Sequence, residues 1–435
     1  MSSEWIETTL GDILTLQRGM DLPVQDRKNG NVPIIASNGI TGYHNHAPVK
    51  APGVVIGRSG SIGGGQFIEC DFWPLNTTLW VKDFKGNDPR FCYYLLRSVD
   101  FSGLNAGSGV PTLNRNHLHP MPMVCPPVSE QKQISSLLGA LDDRITLLRE
   151  TNTTLEAIAQ ALFKSWFVDF DPARANALLP SPCGRGGGGE GKQAPIPHPN
   201  PLPQGEGAVL PPEISALFPD SFEESELGLV PRGWKVGNLE ACCVRVESGG
   251  TPKRTVADYW NGTISWLTSG EVRNPMVLDT KEAITLLGVK ESSAKLWPEG
   301  TTVVAMYGAT AGEVCLLAQP TTANQACCGL IPLKNFRAFL FFCVRREREN
   351  LASKSSGSAQ QNLNKGLVSE HKILIPSDII VAAYESIIGE LLNGWIANEK
   401  QAQTLATLRD TLLPRLISGQ LRLPEAEAGI METST

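Results

Sequence analysis

The sequence predicts an α+β protein: two duplicated globular domains separated by two long antiparallel coiled-coil helices, in a pseudo-twofold arrangement. Three observations predict it. Residues 107–127, "GSGVPTLNRNHLHPMPMVCPP", are answered by 357–376, "GSAQQNLNKGLVSEHKILIP", with Leu113-Asn114 over Leu363-Asn364 and Arg115 over Lys365. Each of these stretches runs at once into a long pattern of apolar residues spaced by three and four. Between the halves lies a Gly/Pro-rich segment with almost no side chains to bury.

The first globular half, 1–127, opens with "EWIETTLGDILTLQRGMDLP" (4–23), a Trp followed by a short strand-like stretch and a polar turn with Gly. "VVIGRSGSIGGG" (54–65) is a β-branched run that breaks into small residues, a strand entering a tight loop. "PLNTTLWV" places Asn76 before another strand, and "RFCYYLLRSV" (90–99) is a short aromatic helix.

From Leu138 the chain steps through Leu141, Ile145, Leu148, Asn152, Leu155, Ala159, Leu162 and Trp166, a heptad seam with one polar interruption. With Pro127 as its stop, the helix is expected over 128–167, about 60 Å at 1.5 Å per residue, and the whole spacer over 128–177. Residues 178–230 form the linker. Its stretch "LPSPCGRGGGGEGKQAPIPHPNPLPQGEGAVLPP" (179–212) reads as a disordered insert; the four-glycine run lacks the G-K-[ST] ending of a phosphate loop.

The second half, 231–376, answers the first. "GWKVGNLEACCVRVESGGTPKR" (233–254) matches the opening, "VVAMYGATAGEV" (303–314) the glycine loop, Asn324 matches Asn76, and "RAFLFFCVRR" (337–346) the aromatic helix. The second spacer, 377–423, steps through Ile388, Leu391, Trp395, Asn398, Ala402, Leu405, Arg409, Leu412 and Leu416, with Pro414 expected to bend or end it. An acidic tail, 424–435, closes the chain. A lone amphipathic helix of this length cannot bury its stripe. The two helices are therefore expected to pack on each other; the alternative is that each lies on its own domain.

If Asn152 faces Asn398, every pairing sums to 550: Leu138 with Leu412, Ile145 with Leu405, Leu162 with Ile388, Trp166 with Tyr384. Leu141 against Arg409 is the awkward layer, expected near an end where Arg409 reaches water. A buried Asn pair fixes register at some cost in stability, so Asn152→Leu is expected to stabilise; the alternative is that both amides face solvent or a partner.

Totals exclude several classes. The 435 residues are 41% hydrophobic and 19% charged, as in an ordinary globular protein. No run approaches the roughly 20 apolar residues of a membrane span, and no signal peptide is evident, so the reading is cytoplasmic, with no membrane. The 10 cysteines, two adjacent pairs among them, contain no C-x-x-C and read as small buried residues. Net charge is −6, but residues 231–376 hold 17 basic against 12 acidic side chains, and 178–230 hold 2 against 7. The acid sits largely in the linker, which is compatible with a polyanion partner for the second half.

Enzyme motifs are missing. There is no P-loop, no strand-G-x-G-x-x-G-helix, no H-E-x-x-H and no G-x-S-x-G. Asn200-Pro201 and Asn274-Pro275 do not continue into the N-P-P-[FY] of an amino-methylating enzyme. His44 with His46, and His117 with His119, are spaced to share a strand face, but nothing completes a metal site; a polar loop is expected at 44–46. The glycine loops at 57–65 and 308–312 have two readings: tight strand turns, or close backbone approach that lets amides and Arg58 or Tyr307 meet phosphates or base edges.

"LFKSWFVDFDPARA" (162–175), "EISALFPDSFEESELGLVPRGW" (213–234) and "TLLPRLISGQL" (411–421) resemble the signature segments of the specificity subunit of type I restriction–modification systems. The resemblance covers nearly the whole chain except about 178–210. It implies two target-recognition domains, each reading one half of a split, asymmetric site in double-stranded DNA. It implies a helix pair that docks two methyltransferase subunits, with restriction (motor and nuclease) subunits joining them. It implies no cofactor in this chain, with S-adenosylmethionine, ATP and Mg2+ in the partners, and therefore a non-catalytic chain. Length changes in the helix pair would then alter the gap in the DNA word. In that setting, polarity and loop position single out Arg18, Arg58, Ser59, Lys253, Arg254, Arg273 and Tyr307, with Gln360, Gln361 and Asn362 in a second-half loop, as DNA contacts. The alternatives are a stand-alone bipartite DNA-binding protein and a duplicated protein-binding scaffold.

Overall fold

The computed structural model describes residues 5–104, 111–178, 210–354 and 362–426. The insert at 180–208, Gln360 and Gln361 lie outside the described residues. The chain divides into two compact units, one of residues 1–148 with 401–435, the other of 149–400. Each is built as follows.

In the first unit, β1 (Ile6–Thr9) pairs antiparallel with β9 (Pro122–Cys125), joining the start of the domain to its exit. Helix α1 (Leu10–Ile13) follows, held by a capping box in which Thr9 and Asp12 bond each other's backbone N–H. A four-stranded antiparallel sheet has the order β2-β8-β5-β6: β2 (Thr15–Arg18), β5 (Gly53–Gly57), β6 (Gly63–Ile68) and β8 (Thr78–Asp83). A second sheet joins β3 (Val32–Ala36) to β4 (Gly39–His44), and in parallel to the short β7 (Trp73–Pro74). The first sheet packs on α2 (Pro89–Ser98), capped by Asp88, which accepts from the Phe91 N–H at 2.8 Å. Then α3 (Arg115–Leu118) leads through β9 into the long α4 (Val128–Phe167).

The other unit repeats this order. After α5 (Asp171–Leu178), α6 (Pro212–Ser215) and the hairpin β10 (Phe222–Ser225)–β11 (Gly228–Pro231), strand β12 (Lys235–Asn238) takes the place of β1. Strands β13 (Cys243–Ser248), β14 (Trp260–Leu267), β15 (Met276–Val277) and β16 (Glu282–Ile284) precede the short α7 (Leu286–Lys290). Then come β17 (Thr302–Ala305), β18 (Val314–Leu317), β19 (Thr322–Ala323) and β20 (Cys327–Pro332). The main sheet reads β13-β20-β17-β18-β15, the same order as β2-β8-β5-β6 with one strand added. Helix α8 (Arg337–Arg346) matches α2, α9 (Arg348–Lys354) is extra, and α10 (Lys365–Ser369) matches α3. Strand β21 (Lys372–Ile375) pairs β12 and enters the long α11 (Asp378–Ile417).

The repeated Leu-Asn has a plain cause. Leu113 and Leu363 are buried at 0% and 1% exposure. Asn114 and Asn364 are the N-caps of α3 and α10, each accepting from a backbone N–H of its own helix.

The long helices pair antiparallel inside both units. In the first, Leu138 and Leu412 share one buried cluster with Leu141, and Ile145 and Leu148 share another with Ala402 and Leu405. In the other, Asn398 bonds Asn152, Trp166 stacks edge-on to Tyr384 at 5.6 Å, and Ile388, Leu391, Trp395, Leu155 and Leu162 lie in or against the core.

Three expectations need correction. Arg409 does not reach water: its side chain is 12% exposed, and its guanidinium donates to Asp142 at 2.6 Å and pairs with Asp410. Near Trp166 the buried stripe is wider than a heptad seam, because Phe163 and Phe167 pack on Phe339 of α8 while Leu162 is only half-buried. The first long helix covers Val128–Phe167, the span its pattern predicts; Phe170 then takes φ 57 and α5 begins afresh within the spacer. Pro414 lies inside α11 without ending it. By length and composition α11 could cross a membrane, but its apolar side chains Ile388, Leu392, Trp395 and Leu412 are buried within the units.

Candidate nucleic-acid interface

Each half gathers polar side chains at one end of its main sheet. In the first unit Gly19, just past β2, presses against the turn between β7 and β8. A Cβ there would meet the Leu75 carbonyl oxygen at 2.0 Å, so only glycine permits the approach. The Gly19 N–H donates to Thr78 O at 3.0 Å and the Met20 N–H to Pro74 O at 2.8 Å. This brings Asp21 to Asn76, whose Nδ2 donates to the Asp21 carboxylate. Arg58 leaves β5 alongside: its backbone N–H donates to Thr77 O at 2.9 Å, and its Nη1 to Asn76 O at 3.4 Å. Ser59 bridges Thr112, and Arg18 is exposed at the end of β2.

The second half builds the same frame from different residues. A Cβ on Gly249 would meet Asn324 O at 2.2 Å. Gly249 N–H donates to Cys327 O and Gly250 N–H to Ala323 O. Thr251 then bonds the Gln325 side chain through its hydroxyl. Met306 N–H donates to Ala326 O at 2.7 Å, and Tyr307, 41% exposed, bridges Asn362.

These hydrogen bonds correct two equivalences. Asn76 corresponds to Gln325, not Asn324, and Tyr307 corresponds to Ser59, so Arg58 corresponds to Met306. The β5–β8 and β17–β20 ladders set Val55, Ile56 and Gly57 on Val303, Val304 and Ala305, so matching the Val-Val pairs by sequence puts the loop out by one residue. Asp21, Thr251 and Gln325 were missed because each contact is closed between segments tens of residues apart. The available signal was the glycine two residues before Asp21 and Thr251, Gly19 and Gly249.

The remaining predicted contacts are scattered. Lys253 is exposed. Arg254 is held by Glu282, with Nη2 to Oε2 at 2.9 Å, and lies 3.8 Å over the Trp260 ring and 4.8 Å from that of Trp266. That pairing lowers the Glu282 carboxyl below its usual range and raises the guanidinium. Arg273 lines a cleft of about 570 Å³ with Lys164, Arg345, Arg346 and Arg348, whose walls do not include Tyr307 or Gln325. The glycine loops are tight turns: Gly60, Gly63, Gly308 and Gly312 all take positive φ.

Among the described residues no cluster of metal-ligating side chains occurs. His44 ends β4 and is buried rather than in a polar loop; its Nδ1 accepts from Lys28 N–H at 3.0 Å, and its ring meets Trp73 edge-on at 5.4 Å. His119 Nε2 accepts from Leu16 N–H at 3.0 Å; burial, with Arg115 and Lys85 nearby, lowers its pKa and keeps it neutral. Cysteines such as Cys242 and Cys328 are buried, and desolvation pushes each thiol up to about 12, which makes them inert.

Known proteins share this plan. The chain is 28% identical over 398 residues to the type I restriction enzyme HindI specificity subunit of Haemophilus influenzae, covering 82% of this chain and 84% of that one. It is 23% identical over 363 residues to the type I restriction enzyme MjaIX specificity subunit of Methanocaldococcus jannaschii, covering 81% and 74%. The crystal structure of the type I restriction-modification system S subunit from M. genitalium has the same fold, with a TM-score of 0.62, 14% identity and 96% of each chain covered. The model of one family, the type I restriction modification DNA specificity domain, matches twice, at residues 2–157 and 231–400. Those two matches fall on the two copies of the sheet-and-helix plan, and the chain belongs to that family.

Proposed function

We propose that this chain supplies sequence recognition to a type I restriction–modification complex, each half reading one word of a split, asymmetric site in double-stranded DNA. It carries no catalytic role; methyl transfer, with S-adenosylmethionine, and ATP- and Mg2+-dependent cleavage belong to methyltransferase and restriction subunits, the former docking on the long helices. The observation that supports this best is the duplication itself. One backbone frame recurs, and the polar side chains on it differ: Asp21 and Asn76 against Thr251 and Gln325, while Arg58 is answered by the buried Met306. Duplicated frames with divergent polar tips suit two different words, since base-edge contacts carry sequence choice while phosphate contacts carry position.

The test is methylation mapping in cells that carry the chain with its methyltransferase. Replacing residues 1–127 by the matching domain of a relative, with the residues that meet Leu412, Leu416 and Leu421 preserved, should change one half of the methylated word. A change in both halves rejects independent readers. The purified chain alone should transfer no methyl group. Deleting 180–208, outside the described cores, should leave methylation of the target intact.

A further inference from the structure

The two amides at the equivalent turns differ from the other polar tips in being held at one end and open at the other. A carboxylate only accepts, so the contact with Asp21 must be made by an Asn76 N–H. That leaves Asn76 with its side-chain oxygen and its second N–H, the donor–acceptor pair an amide needs to grip a base edge. At the equivalent turn, the Thr251 hydroxyl engages the Gln325 amide oxygen, which keeps a lone pair, and both N–H groups stay open. Asn76 is half-buried and Gln325 exposed, so neither amide is enclosed. Gly19 and Gly249 enforce the close approach that sets each amide against its partner.

Resting on the DNA-reading function proposed above, we infer that Asn76 and Gln325 are specificity-determining residues, each reading one base pair in its own half of the target. The base is adenine, because an amide donates to adenine N7 and accepts from its N6 amino group in one bidentate contact. Asp21 and Thr251 are positioning residues that act through these amides by restricting their rotation. The two halves differ at this point in reach, one methylene longer for Gln325, and in the charge of the partner. Each therefore meets its base from a different depth within the same frame.

The experiment uses the full chain in complex with its methyltransferase subunits. Competition binding against duplexes that vary each base pair of the mapped word gives a discrimination ratio per position. Such a ratio survives a general loss of affinity. Asn76→Ala should relax one A·T position in one half by about 10-fold and leave the other half unchanged. Gln325→Ala should do the same in the other half only. Asp21→Ala should relax the same position as Asn76→Ala, by less; a merely structural role would lower the melting temperature and relax no position. Unchanged ratios at every position, uniform weakening, or changes in both halves from one variant overturn the assignment. A relaxed G·C pair overturns the choice of adenine. If the wild-type complex methylates no split word, the DNA-reading function itself fails, and the inference with it.

Discussion

Asn398 donates its Nδ2 to Asn152 Oδ1 at 2.9 Å, and Asn152 passes its own Nδ2 to Glu399 Oε1 at 3.0 Å. Asn152 is 3% exposed, so this short chain of amides sits in the helix seam rather than on its rim. Glu399 makes the arrangement more than a symmetric pair. Removing Asn152, the central member, strands the other two.

Asn152→Leu alone is therefore expected to lower stability by about 1 kcal/mol, since it leaves a partly buried amide unpaired. This reverses the gain expected from the heptad pattern. The double variant Asn152→Leu with Asn398→Leu removes both amides, lets Glu399 turn to solvent, and should exceed the wild type. Urea midpoints of the single and double variants check the order.

Arg337 anchors α8 to α11. Its Nε donates to Glu385 at 3.0 Å, Nη2 to the Gly389 carbonyl at 3.0 Å and Nη1 to Asn393 at 2.9 Å. A lysine cannot reproduce this fork. Arg337→Lys should destabilise by about 1–3 kcal/mol, as expected for lost charge-assisted hydrogen bonds. Thermal unfolding measures it; an unchanged midpoint contradicts the anchoring role.

Glu347 accepts from His371 Nε2 at 3.1 Å and from Asn350 at 2.7 Å, while Lys354 Nζ sits 2.8 Å from His371 Nδ1. The His371 hydrogen bond, helped by Asn350 and Arg346 and opposed by burial, lowers the Glu347 carboxyl below the usual carboxylate range. A depressed carboxylate stabilises the fold above the unfolded value and loses that contribution as pH falls through the folded one. Glu347→Gln should thus unfold at lower urea than wild type at pH 7. The difference should shrink as pH falls through the ordinary carboxylate range. A gap that widens on acidification would contradict the pairing.

Gly19→Ala should cost about 2–4 kcal/mol, since the new methyl meets backbone rather than a movable side chain. Gly64→Ala is the contrast: a Cβ there has open space, and only its φ of 69 strains it. Circular dichroism melts of the two variants should separate by several degrees.

Helix identity, start and pairing register were legible because they are local and periodic. Apolar residues every three or four positions specify a buried stripe, and one Asn in each stripe leaves a single antiparallel alignment that pairs them. The Leu-Asn motif was legible as a repeat for a similar reason, because an N-cap and the leucine before it act within a few residues. Tertiary structure decided what depends on distant groups. In the first half α2 is capped by its own Asp88, but α8 has no cap at Phe336, and Glu385 from α11 supplies it by accepting from Ala338 N–H at 2.7 Å. Phe163 and Phe167 join the core because α8 lies against that end of α4, which a heptad count cannot reveal. Arg409 finds Asp142, the neighbour of its expected layer partner Leu141, which a count of apolar positions passes over. The paired turns behave the same way: Asn76 meets Asp21 and Gln325 meets Thr251 only because a glycine lets two backbones touch. Sequence alone carried the local periodicities; contacts closed by backbone approach between segments tens of residues apart appeared only when the chain was folded.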